Sequence, residues 1–266
     1  MKQYISFFRI SVMKGLQYRI SAIAGIATQF FFGFVFIMIF EAFYHNNPSQ
    51  PIELTQLIQM VWLQQSFLIF IMLWFRDPEL YNMITSGNIA YELCRPTSLY
   101  RYWYARLIGQ RLSGALLRSI PIIIFASLLP APYTLYPPVS LTAGILFLIT
   151  LVFSLLIIVC ISMFIYISIF YTKSPAGSFL FFSVFGEFFA GLPIPIPLMP
   201  KWLQVICYVL PFRYSADLPF RIYTGHIPTE EALYSIGIQV LWIVFMFLLG
   251  KLWMKKAIKK VVVLGG

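Results

Sequence analysis

Apolar residues run in long stretches along this chain, and polar residues collect between them. About twenty apolar residues in a helix cross the hydrocarbon core of a bilayer. Read this way, the pattern predicts six spans, at 20–43, 55–75, 106–129, 141–170, 178–190 and 233–253. The first is apolar throughout and ends at Glu41 and His45; the second carries Gln56, Gln59, Gln64 and Gln65 and stops at Arg76-Asp77-Pro78. Arg106, Arg111 and Arg118 blur the start of the third. The fourth would measure about 45 Å as a helix, against a core of about 30 Å, so it must tilt or project. After Phe189, prolines at 193, 195, 197, 200 and 211 exclude one continuous helix. Residues 190–212 therefore read as broken backbone, partly dipping into the membrane, which survives there only where protein or a water-filled cavity satisfies its polar groups; 213–232 read as a polar segment, so that 191–232 together form a re-entrant and extracellular stretch. At the start of the chain, Tyr4, Ile5, Phe8, Val12 and Leu16 recur at helical spacing among Lys2, Gln3, Ser6, Arg9 and Lys14. Residues 1–19 thus read as a basic helix lying in the membrane interface, or else as a soluble tail.

Composition narrows the class. Of 266 residues, 60% are hydrophobic and 11% charged, and the mean hydropathy is +0.84. Soluble domains average about 45–50% apolar and about 25% charged, so a soluble enzyme is excluded, and so is disorder, which is apolar-poor. The net charge of +10 has a simple origin in an all-α membrane protein, because cytoplasmic loops collect Lys and Arg. With six spans and the arginines entering span three counted on the inner side, all but three (Lys201, Arg213 and Arg221) of the 19 basic residues fall on the side of the termini. Both termini are thereby expected in the cytoplasm. No basic stripe stands beside exposed aromatics in a soluble segment, so no nucleic acid is expected.

Little in the chain suggests chemistry of its own. There is no phosphate-binding glycine loop; the single Gly-Lys pair, Gly250-Lys251, lacks the earlier glycine. His45 and His226 are too few for a histidine metal site, and no H-E-x-x-H or G-x-S-x-G occurs. Cys94, Cys160 and Cys207 stand apart, without zinc or disulfide spacing. No catalytic residue, metal or cofactor is therefore expected on this chain.

Polar residues within the apolar runs are functional candidates, because burying them is costly. Glu41 lies one turn from the end of span one and reads as an interface or a pathway residue. Glu187, four after Ser183, either faces a translocation cavity or dimer seam, or caps backbone N–H groups of a re-entrant turn. Arg111 and Arg118 share one helical face; they snorkel to anionic headgroups or recognise an anionic or lipid-like substrate. Ser21, Gly25, Gln29 and Gly33 form a small-residue face for close helix packing, within the chain or against a second copy.

Two short signatures point further. One is Ser86-Gly87-Asn88-Ile89-Ala90 followed by Leu93-Cys94-Arg95-Pro96; the other is Leu210-Pro211-Phe212-Arg213, Leu218-Pro219-Phe220 and Tyr223-Thr224-Gly225. With the six runs, they resemble the membrane subunit of bacterial ABC type-2 exporters, with Leu210 where that pattern carries Asn. The resemblance covers nearly the whole chain. It implies a permease in the bacterial cytoplasmic (inner) membrane, with an interfacial helix, a cytoplasmic coupling helix in 76–105 and a re-entrant extracellular segment between spans five and six. It also implies a second permease, identical or homologous, and two ATPase subunits that bind ATP and Mg on separate chains, driving alternating access for an amphipathic or hydrophobic cargo. Asp77, Glu79, Leu80, Tyr81, Ile84, Asn88 and Ile89 would then dock on the ATPase, since a docking helix needs apolar anchors and a polar rim. The rivals are an ion-driven carrier or channel, and an integral membrane enzyme acting on lipid.

Overall fold

A computed structural model describes residues 2–16, 19–46, 49–94, 97–172 and 175–260. Every regular element among them is helical: α1 (Lys2–Leu16), α2 (Arg19–Asn46), α3 (Leu54–Ser66), α4 (Leu68–Ile71), α5 (Pro78–Thr85), α6 (Ile89–Leu93), α7 (Leu99–Ser127), α8 (Leu141–Ile169), α9 (Pro175–Phe189), α10 (Lys201–Val209), α11 (Asp217–Tyr223) and α12 (Thr229–Ile258). Two short 3₁₀ turns, Ile196–Leu198 and Pro211–Ser215, join α9, α10 and α11. Four helices are long and apolar enough to cross a bilayer: α2 over Ala22–His45, α7, α8 and α12. The chain is an all-α membrane protein.

α8 is the axis of the bundle. It is apolar all round, as a helix buried on most faces must be, and a run from Ile157 to Ile169 is closed off from the surface with the exception of Phe164. α12, α11 and the 211–215 turn pack on it, and α7 packs beside it through Tyr104, whose hydroxyl donates to the Leu156 carbonyl at 3.1 Å. α1 lies lengthwise on the first half of α7, Phe7 meeting the Tyr102 ring edge-on at 4.4 Å, and turns Ile5, Ile10 and Met13 outward. The end of α1 and the segment 72–94 share one end of the bundle with the final turns of α8 and α12; the loops at 49–53, 130–140 and 224–228 lie at the other.

The expected span at 55–75 is not one helix. It breaks at Phe67, leaves α4 as a single turn, and continues from Met72 without helix. The helix expected from residue 106 starts at Leu99, so the last residues assigned to 76–105 belong to α7. The run at 178–190 is the 15-residue α9.

The segment after α9 enters the bundle and comes back. The Tyr214 carbonyl accepts from Ser154 Oγ at 3.0 Å and Gln239 Nε2 at 2.9 Å, deep along α8 and α12. By Tyr223 the chain is at the loop end again, where that hydroxyl donates to the Tyr136 carbonyl at 2.9 Å. Residues 213–222, expected as part of a polar segment, are buried. One carboxylate serves two arginines there: Asp217 meets Arg221 at 3.1 Å and Arg213 at 3.9 Å, and Arg213 also lies over the Tyr208 ring. Side-chain amides stitch α3 to this returning segment, Gln56 to the Thr224 carbonyl at 3.2 Å and Gln64 to the Leu192 carbonyl at 3.3 Å.

Candidate functional site

The break in α3–α4 generates the site. Phe67 ends the first helix, and the second stops at Ile71, exposing carbonyls that a continuous helix would have used. Arg111 takes them. Its Nη1 donates to the carbonyls of Ile69 and Met72 at 2.7 and 2.8 Å, and Nη2 donates to Ser162 Oγ of α8 at 3.0 Å. Arg111 is completely buried, with its guanidinium over the Phe75 ring. It neither snorkels to headgroups nor faces a substrate; it caps a broken helix.

Residues 72–77 then run as a non-helical strap, with a turn at Leu73 and Trp74, held at both ends. On one side, the Glu187 carboxylate of α9 accepts from the Leu73 N–H and the Trp74 indole N–H, both at 2.9 Å. Of its two expected roles, the capping one is present, although the backbone capped is the strap rather than a turn of its own segment. On the other side, the Asp77 N–H donates to the Tyr166 hydroxyl at 2.7 Å. The Asp77 carboxylate caps α5 through the N–H groups of Glu79 and Leu80. It also accepts from Arg106 and from Gln110 of α7. Arg106 reaches on to Glu79 at 2.6 Å, and Lys14 of α1 meets the same carboxylate at 3.2 Å. The hydrogen bond from Arg106 holds the Glu79 carboxyl below its ordinary pKa, against the opposing effect of desolvation.

α5 and α6 form a short hairpin beyond the strap. Gly87 joins them at φ +76°, a left-handed conformation that a side chain resists. Of the residues expected to dock on a partner, Asp77, Leu80 and Ile89 turn inward and are buried. Tyr81 and Ile84 are half-buried, with Tyr81 packed towards Phe179; Glu79 and Asn88 are exposed. The outward face of the hairpin is thus Glu79, Asn82, Thr85, Asn88 and Tyr91, of which Asn82, Thr85 and Tyr91 were not among the expected residues. Arg95 and Pro96, the end of the first signature, lie outside the described residues.

Above the strap, a cavity of about 510 Å³ opens between α2, α3 and α9, lined by Gln29, Gln64, Gln65, Trp74, Glu187 and Phe188 among others. Gln29 is only 3% exposed, and neither end of its amide bonds a protein group. Ser183 is fully buried in α9, its hydroxyl likewise unpartnered, and does not line the cavity. Gly25 and Gly33 do not line it either: a Cβ on Gly33 would meet the Trp62 ring at 2.9 Å, and one on Gly25 would meet the Arg118 guanidinium at 2.4 Å. Both glycines face neighbours in this chain, which favours intramolecular packing over a dimer seam; the Ser21 side chain is outside the described set. Glu41 sits at the loop end against the Tyr133 hydroxyl, raising the pKa of that phenol. Among the described residues, no group of three or more His, Cys, Asp or Glu could hold a metal ion.

No family model matches the sequence, and neither a curated protein nor a solved structure matches it.

Proposed function

We propose that this chain is the permease subunit of an ATP-driven ABC transporter of the type-2 exporter kind, in the bacterial inner membrane with both termini cytoplasmic. In this reading, the broken α3–α4 and the short α9 complete six spans with the four long helices. A second permease, identical or homologous, pairs with it, and two ATPase subunits bind ATP and Mg. The cargo is amphipathic or hydrophobic.

The observation that carries the reading is the strap at 72–77. It connects a hairpin with an exposed polar and aromatic face to a mainly apolar open cavity that carries Gln29, Gln64, Gln65 and Glu187, with hydrogen-bonded anchors at each end. A push on the hairpin is delivered to Glu187 and the cavity wall through six residues of backbone. The unpartnered Gln29 amide offers a donor and an acceptor to a polar group on the cargo, and Phe32, Phe36 and Phe188 offer apolar surface. A soluble partner that docks on α5–α6 would use Glu79, Asn82 and Tyr91 at its rim and centre.

The test is co-purification followed by transport. Tagged protein from its own cells should bring down a separate ATPase, and vesicles holding both should move cargo only while ATP is hydrolysed. Asn82→Arg with Tyr91→Asp, both exposed and outside the ionic network, should leave the permease folded and cut transport at least tenfold. Transport by the isolated chain would reject the proposal. One rival has an observation in its favour: the Glu187 carboxylate at the cavity is what an ion-driven carrier would use. Transport that survives ATPase removal but collapses with a protonophore and in Glu187→Gln would select that rival.

A further inference from the structure

A second cavity, of about 560 Å³, lies at the basic end between α1, α2, α4, the strap and α7. α7 forms its wall: Arg106, Gln110 and Ser113 follow at helical spacing as a polar stripe, and Arg118 reaches the cavity from deeper along the helix and about a third of a turn round it. Ile69 and Phe75 also line it, and Leu117 follows Ser113 one turn along α7, so the cavity is amphipathic.

The charges around it do not balance. Lys14 and Arg106 are matched by Glu79 and Asp77. Arg76 and Arg118 are not; among the described residues no carboxylate lies within ion-pair distance of either, and Arg118 makes no hydrogen bond to protein. Arg118 is half-buried and stands twelve residues further along α7 than Arg106, about 18 Å deeper into the bundle. Its guanidinium is laid against α2 in space that only a glycine at 25 leaves free. The Cβ of a helical residue tilts to the helix N-terminus, which here is the basic end, so the side chain extends back up the cavity. An arginine inside a bilayer needs an anion or water beside it, and a basic pocket between membrane helices suits an anionic lipid head group.

We infer that this cavity binds one anionic phospholipid from the leaflet at the basic end, its phosphate drawn inward past Arg106, Gln110 and Ser113 to Arg118 and an acyl chain lying on Ile69 and Leu117. Arg118 provides a fork of N–H donors suited to phosphate oxygens, and Arg76 adds charge at the mouth. Arg111, on the same side of α7 as Arg118 but bonded to the Ile69 and Met72 carbonyls and to Ser162, does not line the cavity and takes no part. The inference does not depend on what the protein transports.

Native mass spectrometry of the full-length protein in detergent, titrated with phosphatidylglycerol, phosphatidylcholine or inorganic phosphate, tests it. The wild type should retain one phosphatidylglycerol with at least tenfold preference over phosphatidylcholine. Arg118→Gln should abolish that preference, Arg118→Lys should keep it within threefold, and Lys201→Gln, on exposed α10, should leave it unchanged. Leu117→Trp keeps every charge but fills the apolar side, and should lower occupancy even if Arg118→Gln fails to fold. Equal retention of the two lipids, undiminished preference in Arg118→Gln, or undiminished occupancy in Leu117→Trp overturns the site. Displacement of the lipid by millimolar inorganic phosphate overturns the lipid as its occupant and leaves an anion site alone.

Discussion

Glu187 of α9 holds Trp74 of the strap through the indole N–H at 2.9 Å, and holds the preceding backbone N–H at the same distance. Hydrogen bonds to a charged group contribute about 1.5–3 kcal/mol each. Glu187→Ala removes both and should free residues 72–77 by about 3 kcal/mol, seen as amide exchange on the order of a hundredfold faster in the strap with α8 unaffected. Unchanged exchange at Leu73 would mean that the strap is held by its other end alone.

Asp77 is buried between α5 and α7 and serves both. Removing one partner of a buried pair costs about 3–5 kcal/mol; Glu79 also reaches Arg106, so Asp77→Asn should fall at the low end, about 3 kcal/mol. A double-mutant cycle with Arg106→Gln should give a coupling of at least about 1 kcal/mol in chemical denaturation. Additive losses would show that the two residues act independently.

Arg111 satisfies two carbonyls and a hydroxyl on separate helices. Arg111→Met should leave those carbonyls without a donor and lower stability by several kcal/mol, on the order of 3 or more. Arg111→Lys should recover only part, since a compact ammonium lacks the planar fork. Full recovery by lysine in a thermal melt would reduce the role of Arg111 to its charge.

Acid should loosen α1 from α5. The Glu79 carboxyl has its pKa lowered below the ordinary 4.5, chiefly by the Arg106 hydrogen bond. A group depressed in the folded state stabilises above its unfolded pKa, and the contribution is lost as pH falls through the folded value. A spin-label or fluorophore distance from Ser11 to Asn82 should be constant from pH 8 to 5 and lengthen below about pH 4.5. Glu79→Gln should show the longer distance at every pH; a transition near neutrality would assign the change to another group.

The long helices α2, α7, α8 and α12 were legible because apolar runs of that length admit little else. The break at Phe67 was not, since Phe67 is as apolar as its neighbours; what makes a break tolerable is Arg111, more than forty residues away. The start of α7 was hidden because Arg101 and Arg106 interrupt the apolar run without interrupting the helix. Residues 213–221 read as polar because each charge was counted alone. Their spacing of four, Arg213, Asp217, Arg221, was the available signal that they pair along helical turns and can be buried. Glu187 and Gln29 stood out as intramembrane polar residues, yet the strap that Glu187 grips is over a hundred positions earlier, and no local pattern links them.

The fastenings of the bundle differ in kind from one region to another. Near the hairpin they are ionic and interlocked, Lys14 to Glu79 to Arg106 to Asp77, so that pulling one drags the rest. Along the seam between α3 and the returning segment they are neutral amides, Gln56 on Thr224 and Gln64 on Leu192. An amide bond of this sort nets only about 0.5–1.5 kcal/mol and strands no charge when it lets go. The molecule is stiff where a force would enter and unzips cheaply where a passage would have to widen.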